Sequence, residues 1–84
     1  MPVEVTFYTR RNCSLCDKAK AAIRESGAVI SLREVDIDDD PELRRRYTDD
    51  VPVIEIAGVD AFRHRVDPQA FRDYIRGMRK DSSL

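Results

Sequence analysis

The chain has few of the features that mark most protein classes. Its two cysteines are too few to staple a secreted scaffold. Together with the single histidine, His64, they fall short of the four ligands of a structural zinc site. No apolar run approaches the ~20 residues needed to span a bilayer, and Met1-Pro2-Val3-Glu4 has no basic region of the secretory type. The expected location is therefore cytoplasmic, where thiols meet a reducing pool. Excess charge is also missing. Fifteen basic against 16 acidic residues leave a formal net charge of −1, which argues against a dedicated nucleic-acid or membrane-surface binder. Internal repeats and low-complexity segments are absent.

What remains is a globular balance of 42% hydrophobic and 37% charged residues. Eighty-four residues make one domain, spanning 1–84 and expected to be ordered over about 3–79, with 80–84 as a fraying tail. A chain of this size buries only ~60–65% of its unfolded surface, so its fold must be economical.

Val3, Val5 and Phe7 alternate with Glu4 and Thr6, the period-2 signal of a strand. After the polar stretch Thr9–Asn12 the period changes to helical. Leu15, Ala19, Ala22 and Ile23 are assigned to one buried face, and Gly27 supplies the stop. Residues Val29–Ile37 form a second strand, whose slipping alternation predicts a bulge or a late start. Asp40-Pro41 reads as an N-cap followed by proline at the first helical position, and Asp67-Pro68 repeats the signal. Between these lie strands at Val53–Ile56 and Asp60–Arg65, joined by a tight turn around Gly58. In the last helix Phe71, Tyr74, Ile75 and Met78 mark the core face.

The order is thus β-α-β-α-β-β-α, an α/β fold with a mixed four-stranded sheet. Its two long crossovers predict parallel pairing at the front, and its short turn predicts an antiparallel hairpin at the back.

Both cysteines lie in Thr9-Arg10-Arg11-Asn12-Cys13-Ser14-Leu15-Cys16-Asp17, where the first strand gives way to the first helix. A helix N-terminus presents unpaired N–H groups and partial positive charge, which favour thiolate over thiol. Arg10 and Arg11 add charge in the same loop. A depression of two pKa units would bring a thiol from ~8.5 to ~6.5, largely ionised at neutral pH. Cys13, at the mouth of the helix, is then the attacking nucleophile, and Cys16, one turn further in, resolves the mixed disulfide. Asp17 opposes the thiolate. Two inert core cysteines would be poorly placed in a polar loop.

The blocks "VTFYTRRNCSLC", "EVDIDDDPELRRRY" and "VPVIEIAG" resemble successive blocks of the glutaredoxins and small glutaredoxin-like proteins, across roughly residues 3–79. The resemblance implies a thioredoxin fold and a dithiol thiol-disulfide oxidoreductase with Cys13 and Cys16 as catalytic residues. The substrates it implies are protein disulfides or glutathione mixed disulfides. It further implies a cis proline at Pro52 beside the dithiol. Val51 and Pro52 are then expected to pair with an extended substrate backbone. Read from the residues themselves, Arg10 and Arg11 have two roles of equal standing, holding a substrate carboxylate or solvating the loop. No tightly bound cofactor or metal is expected, and the chain is expected to act as a monomer. Electrons would come from glutathione or a thioredoxin reductase.

Three departures from the family pattern stand out, the first and third bearing on glutathione and the second on the redox potential. Asp50 replaces the threonine before Val51-Pro52, and Ser14-Leu15 stands between the cysteines. The third concerns the glycine pair that in the family clasps the γ-glutamyl carboxylate of glutathione. Phe62-Arg63 occupy about that place, leaving Asp67 or the free N–H groups of the last helix as substitutes. The redox chemistry carries over better than the glutathione specificity. The alternative is a non-catalytic binding module of the same fold, or a metal or iron–sulfur carrier sharing these cysteines across a dimer.

The remaining motifs carry less. The spacing Asp36-x-Asp38-x-Asp40 lacks the glycine and the final glutamate of a calcium loop. Arg44-Arg45-Arg46 balance the preceding acidic run on an exposed helix. His64 is expected to face solvent from a strand.

Overall fold

The computed structural model describes residues 2–81, and side chains over 2–78. Strand β1 (Val3–Thr9) leads into helix α1 (Ser14–Ser26), which returns to strand β2 (Ile30–Asp36). A 3₁₀ turn at Ile37–Asp39 and helix α2 (Pro41–Tyr47) lead to strands β3 (Val53–Ile56) and β4 (Val59–Arg63). Helix α3 (Pro68–Asp81) follows. Of the expected frayed tail, residues 82–84 lie outside the described residues.

The strands stand in the order β2-β1-β3-β4. The first crossover is right as expected: β1 and β2 pair in parallel from Val3↔Ile30 to Thr9↔Asp36. The second is a correction. The α2 connection carries the chain past β1 to its far side, and β3 enters antiparallel to β1, with Phe7 opposite Ile54. A long connection permits either direction, so its length could not decide this. Of the bulge and the late start expected for β2, the structure shows the late start, at Ile30 rather than Val29, and no bulge. β2 pairs in unbroken register, and the one irregularity falls between Ile54 and Glu55 in the β3–β4 ladder.

Alternation puts Val5, Phe7, Ile54 and Ile56 on one face of the sheet, all essentially excluded from solvent. They share one core cluster with Ala19 and Ile23 of α1 and Phe71 and Ile75 of α3. On the other face Tyr8 meets Tyr47 of α2, ring centroids 5.0 Å apart. A hydrogen bond with Glu55, and then burial, push the Tyr8 phenol up to about 12. It therefore remains protonated throughout the neutral range.

The expected punctuation is present. Gly27 caps α1 at φ 67°, its N–H donating to the Arg24 carbonyl. The Asp40 carboxylate accepts from the Glu42 N–H at 2.9 Å to open α2, and Asp67 accepts from the Ala70 N–H at 2.9 Å to open α3. The β3–β4 hairpin closes through two residues, Ala57 and Gly58, at φ 51° and 82°. Two positive φ values are the pattern of a type I′ turn, for which asparagine suits the first position better than alanine. Ala57→Asn is therefore expected to stabilise the domain by about 0.5 kcal/mol, read as a higher urea midpoint with an unchanged slope.

Candidate active site

The site begins where β1 ends. Asn12 takes a positive φ of 56°, a conformation that asparagine tolerates better than most residues. It turns the chain so that Cys13 becomes the N-cap of α1, in extended geometry at φ −110° and ψ 105°. The Cys13 sulfur accepts the backbone N–H of Cys16 at 3.1 Å, and the Cys13 carbonyl accepts from Asp17 at 3.1 Å. A sulfur thus stands where helices usually place the oxygen of serine or aspartate, and it meets one of the otherwise unpaired N–H groups.

The two cysteines are joined as a disulfide, their Cα atoms 5.2 Å apart, within the span such a bond requires. They are not equivalent. Cys13 is half-buried at the surface of the core cluster, whereas Cys16 is 2% exposed within it.

This phase of the helix corrects the reading of Leu15. The buried stripe of α1 is Cys16, Ala19, Ala22, Ile23 and Ser26, and Leu15 turns outward at 38% exposure. It lines the hollow of about 350 Å³ in which Cys13, Ser14 and Val51 meet. Leu15 is the residue of this site that sequence reasoning missed. The signal available was an apolar side chain between two cysteines whose own positions already complete a buried face.

The Val51–Pro52 peptide is cis, as the resemblance implies, and both side chains are buried. Among the described residues no backbone hydrogen bond engages Val51, while the Pro52 carbonyl accepts from the His64 N–H at 2.9 Å. His64 is not a strand residue. It lies just beyond β4 at φ 66°, its Nε2 3.6 Å from an Asp50 carboxylate oxygen. The other Asp50 oxygen takes Arg63 at 3.3 Å. The departure at position 50 therefore ties the segment before the cis proline to the end of β4.

The two arginines before the dithiol both have carboxylate partners within the chain. Arg10 lies 3.2 Å from Asp38 and donates to the Thr48 carbonyl at 3.0 Å. Arg11 lies 3.4 Å from Asp36 while remaining 81% exposed. The positive charge of both arginines is thereby shared with the acidic stretch Asp36–Asp38. The acidic run that resembled a calcium loop serves as the arginines' counter-charge. Among the described residues no three metal-binding side chains converge, and no helix is long and apolar enough to cross a membrane. Asp67, one of two substitutes considered for the missing glycine pair, is engaged as the cap of α3.

Residues 4–76 match the family described as Glutaredoxin-like domain (DUF836). A curated relative, the glutaredoxin-like protein YDR286C homolog of Dictyostelium discoideum, is 36% identical over 73 residues, covering 77% of this chain and 68% of that protein. The X-ray structure of the structural-genomics target XcR50 from X. campestris superposes with a TM-score of 0.76 at 30% identity, covering 87% of this chain and 96% of that one. Thioredoxin-2, a component of malaria parasite protein secretion machinery, is similar in fold, with a TM-score of 0.65 at 20% identity over 90% of this chain and 82% of its own. With its mixed four-stranded sheet and the Cys13-x-x-Cys16 pair, the chain has a thioredoxin fold and belongs to the glutaredoxin-like domain family.

Proposed function

We propose that the protein is a dithiol disulfide reductase. The observation that carries this reading is the pairing of a half-exposed sulfur that accepts a helix N-terminal N–H with a buried one a single turn further in. The N–H and the helix dipole favour the anionic form of Cys13, and its exposure gives it first access to a substrate.

In the reduced protein, the Cys13 thiolate attacks one sulfur of a substrate disulfide. The new S–S bond forms as the substrate's bond breaks, and the departing sulfur leaves as a thiolate that takes a proton from water. The Cys16 thiol then loses its proton and attacks the Cys13 sulfur. The mixed disulfide breaks and the substrate's second thiolate departs. That thiolate takes up the proton Cys16 gave to solvent, so the substrate has gained two electrons from the protein and two protons by way of water, leaving the Cys13–Cys16 disulfide. Val51, with its backbone free of partners, offers hydrogen bonds to an extended substrate segment. Arg11 is the accessible one of the two arginines for a substrate carboxylate.

Two molecules of glutathione, which leave as glutathione disulfide, or the dithiol of a thioredoxin reductase restore the Cys13–Cys16 dithiol. The glycine pair that clasps glutathione in the family is missing here, with Phe62-Arg63 at about that place, which makes the reductase the stronger candidate. The steps as proposed call on the residues of one chain and on no bound cofactor.

The test is an NADPH-coupled assay on a protein disulfide substrate, run with glutathione plus its reductase and separately with a thioredoxin reductase. Turnover is expected with the second system, together with alkylation of Cys13 that titrates below the ordinary thiol value of ~8.5. No turnover with either system, and an ordinary titration, would reject the reductase reading.

A further inference from the structure

A second hollow, of about 370 Å³, opens on the opposite flank of Leu15. Leu15 lines both hollows, so the second begins one side chain away from Cys13. Its wall on the α1 side is Leu15, Lys18 and Ala19. The wall between β4 and α3 is His64, Arg65 and Val66. Three of the six residues are basic or can become so, and none is acidic. Among the described residues Lys18 and Arg65 make no ion pair, in contrast to Arg10, Arg11 and Arg63. Asp50, whose carboxylate lies 3.6 Å from His64 of this wall, is shared with Arg63. Leu15 and Val66 give the hollow an apolar floor between its charges. Asp17 and Asp67 adjoin these residues in sequence but do not line it.

We propose that this hollow receives an acidic segment of the disulfide-bearing protein substrate, with a carboxylate close to the half-cystine that Cys13 attacks. The inference rests on the reductase reading and names its substrate class. The half-cystine sits in the hollow over Cys13, an apolar neighbour packs on Leu15, and an aspartate or glutamate reaches Lys18 and Arg65. Such pairs act on the rate of encounter and on the choice of partner more than on overall affinity.

The experiment measures single-turnover reaction of the reduced protein with cysteine peptides activated as mixed disulfides with thionitrobenzoate. In that step the Cys13 thiolate bonds to the peptide sulfur, and the thionitrobenzoate anion leaves with the electron pair. The peptides differ only in flanking aspartate, serine or lysine, and a fourth substrate is the corresponding glutathione disulfide. The aspartate peptide is expected to react roughly 3- to 10-fold faster than the lysine peptide at low salt. Lys18→Glu combined with Arg65→Glu should abolish or invert that order. A control pair, Arg24→Glu with Arg76→Glu, makes the same change in net charge at exposed helical positions away from the hollow and should preserve it.

Equal rates for the three peptides would overturn the proposal. So would a preference that survives in the Lys18/Arg65 variant, or one that the control abolishes equally. Sensitivity confined to the glutathione disulfide would assign the hollow to that tripeptide instead and also overturn it. Turnover with a recycling donor is scored separately. Charge preference without turnover would reject the reductase reading and leave the hollow's specificity standing.

Discussion

Replacing Cys13 with serine is expected to lower disulfide reduction by at least ~10³-fold, because the hydroxyl is almost wholly un-ionised where a thiolate is needed. The fold should survive the change. Serine is among the best N-cap residues, so its oxygen can take over the Cys16 N–H that the sulfur now accepts. Cys16→Ser removes a different step. Attack by Cys13 should proceed at close to its normal rate, and a stable mixed disulfide with the substrate should accumulate, visible by intact mass. Retained turnover in Cys13→Ser, or a mixed disulfide trapped on Cys16, would reverse the assigned roles. Circular dichroism on both variants separates lost chemistry from lost structure.

Phe71→Ala is expected to have the largest effect on stability. The ring is fully excluded from solvent, lies in the first turn of α3, and faces Phe62 of β4 with ring centroids 5.9 Å apart. Truncating a buried phenylalanine costs about 3–5 kcal/mol through lost transfer energy and the cavity left behind. A domain of this length holds roughly 4–13 kcal/mol in total, so the variant should be marginal or unfolded at 37 °C. Phe71→Leu, which keeps most of the volume, should lose far less. Urea denaturation of the pair checks both statements, and equal midpoints would contradict the packing role. The loss should also reach the site, since α3 anchors the loop that carries His64, Arg65 and Val66.

Local chemistry was legible in the sequence. Asp40-Pro41, Asp67-Pro68, Gly27 and Gly58 each sit where capping or turn geometry requires them, because each acts on backbone groups within four residues of itself. The dithiol was legible for the same reason, since a strand end followed by a helix start fixes its surroundings. What escaped was non-local or a matter of phase. Leu15 and Cys16 are neighbours competing for one face of α1, and hydropathy favours the leucine. The structure buries the cysteine, a small side chain that packs well in cores. The direction of β3 depends on which side of β1 it joins, and the intervening chain is long enough for either. The pairing of Arg10 with Asp38 spans 28 positions, and no periodicity encodes such a meeting.

That last contact has a consequence for how the two halves of the site hold together. Arg10 belongs to the loop that leads to Cys13, and its guanidinium reaches both the Asp38 carboxylate and the Thr48 carbonyl. Thr48 opens the stretch that runs through Asp49 and Asp50 to the cis proline. One planar, five-donor cation therefore acts as a brace between the loop that leads to Cys13 and the segment that carries the cis proline. Because its two side-chain members are Arg10 and Asp38, with Thr48 engaged through its main chain, the setting of these two segments can be altered at positions 10 and 38 while both cysteines stay unchanged.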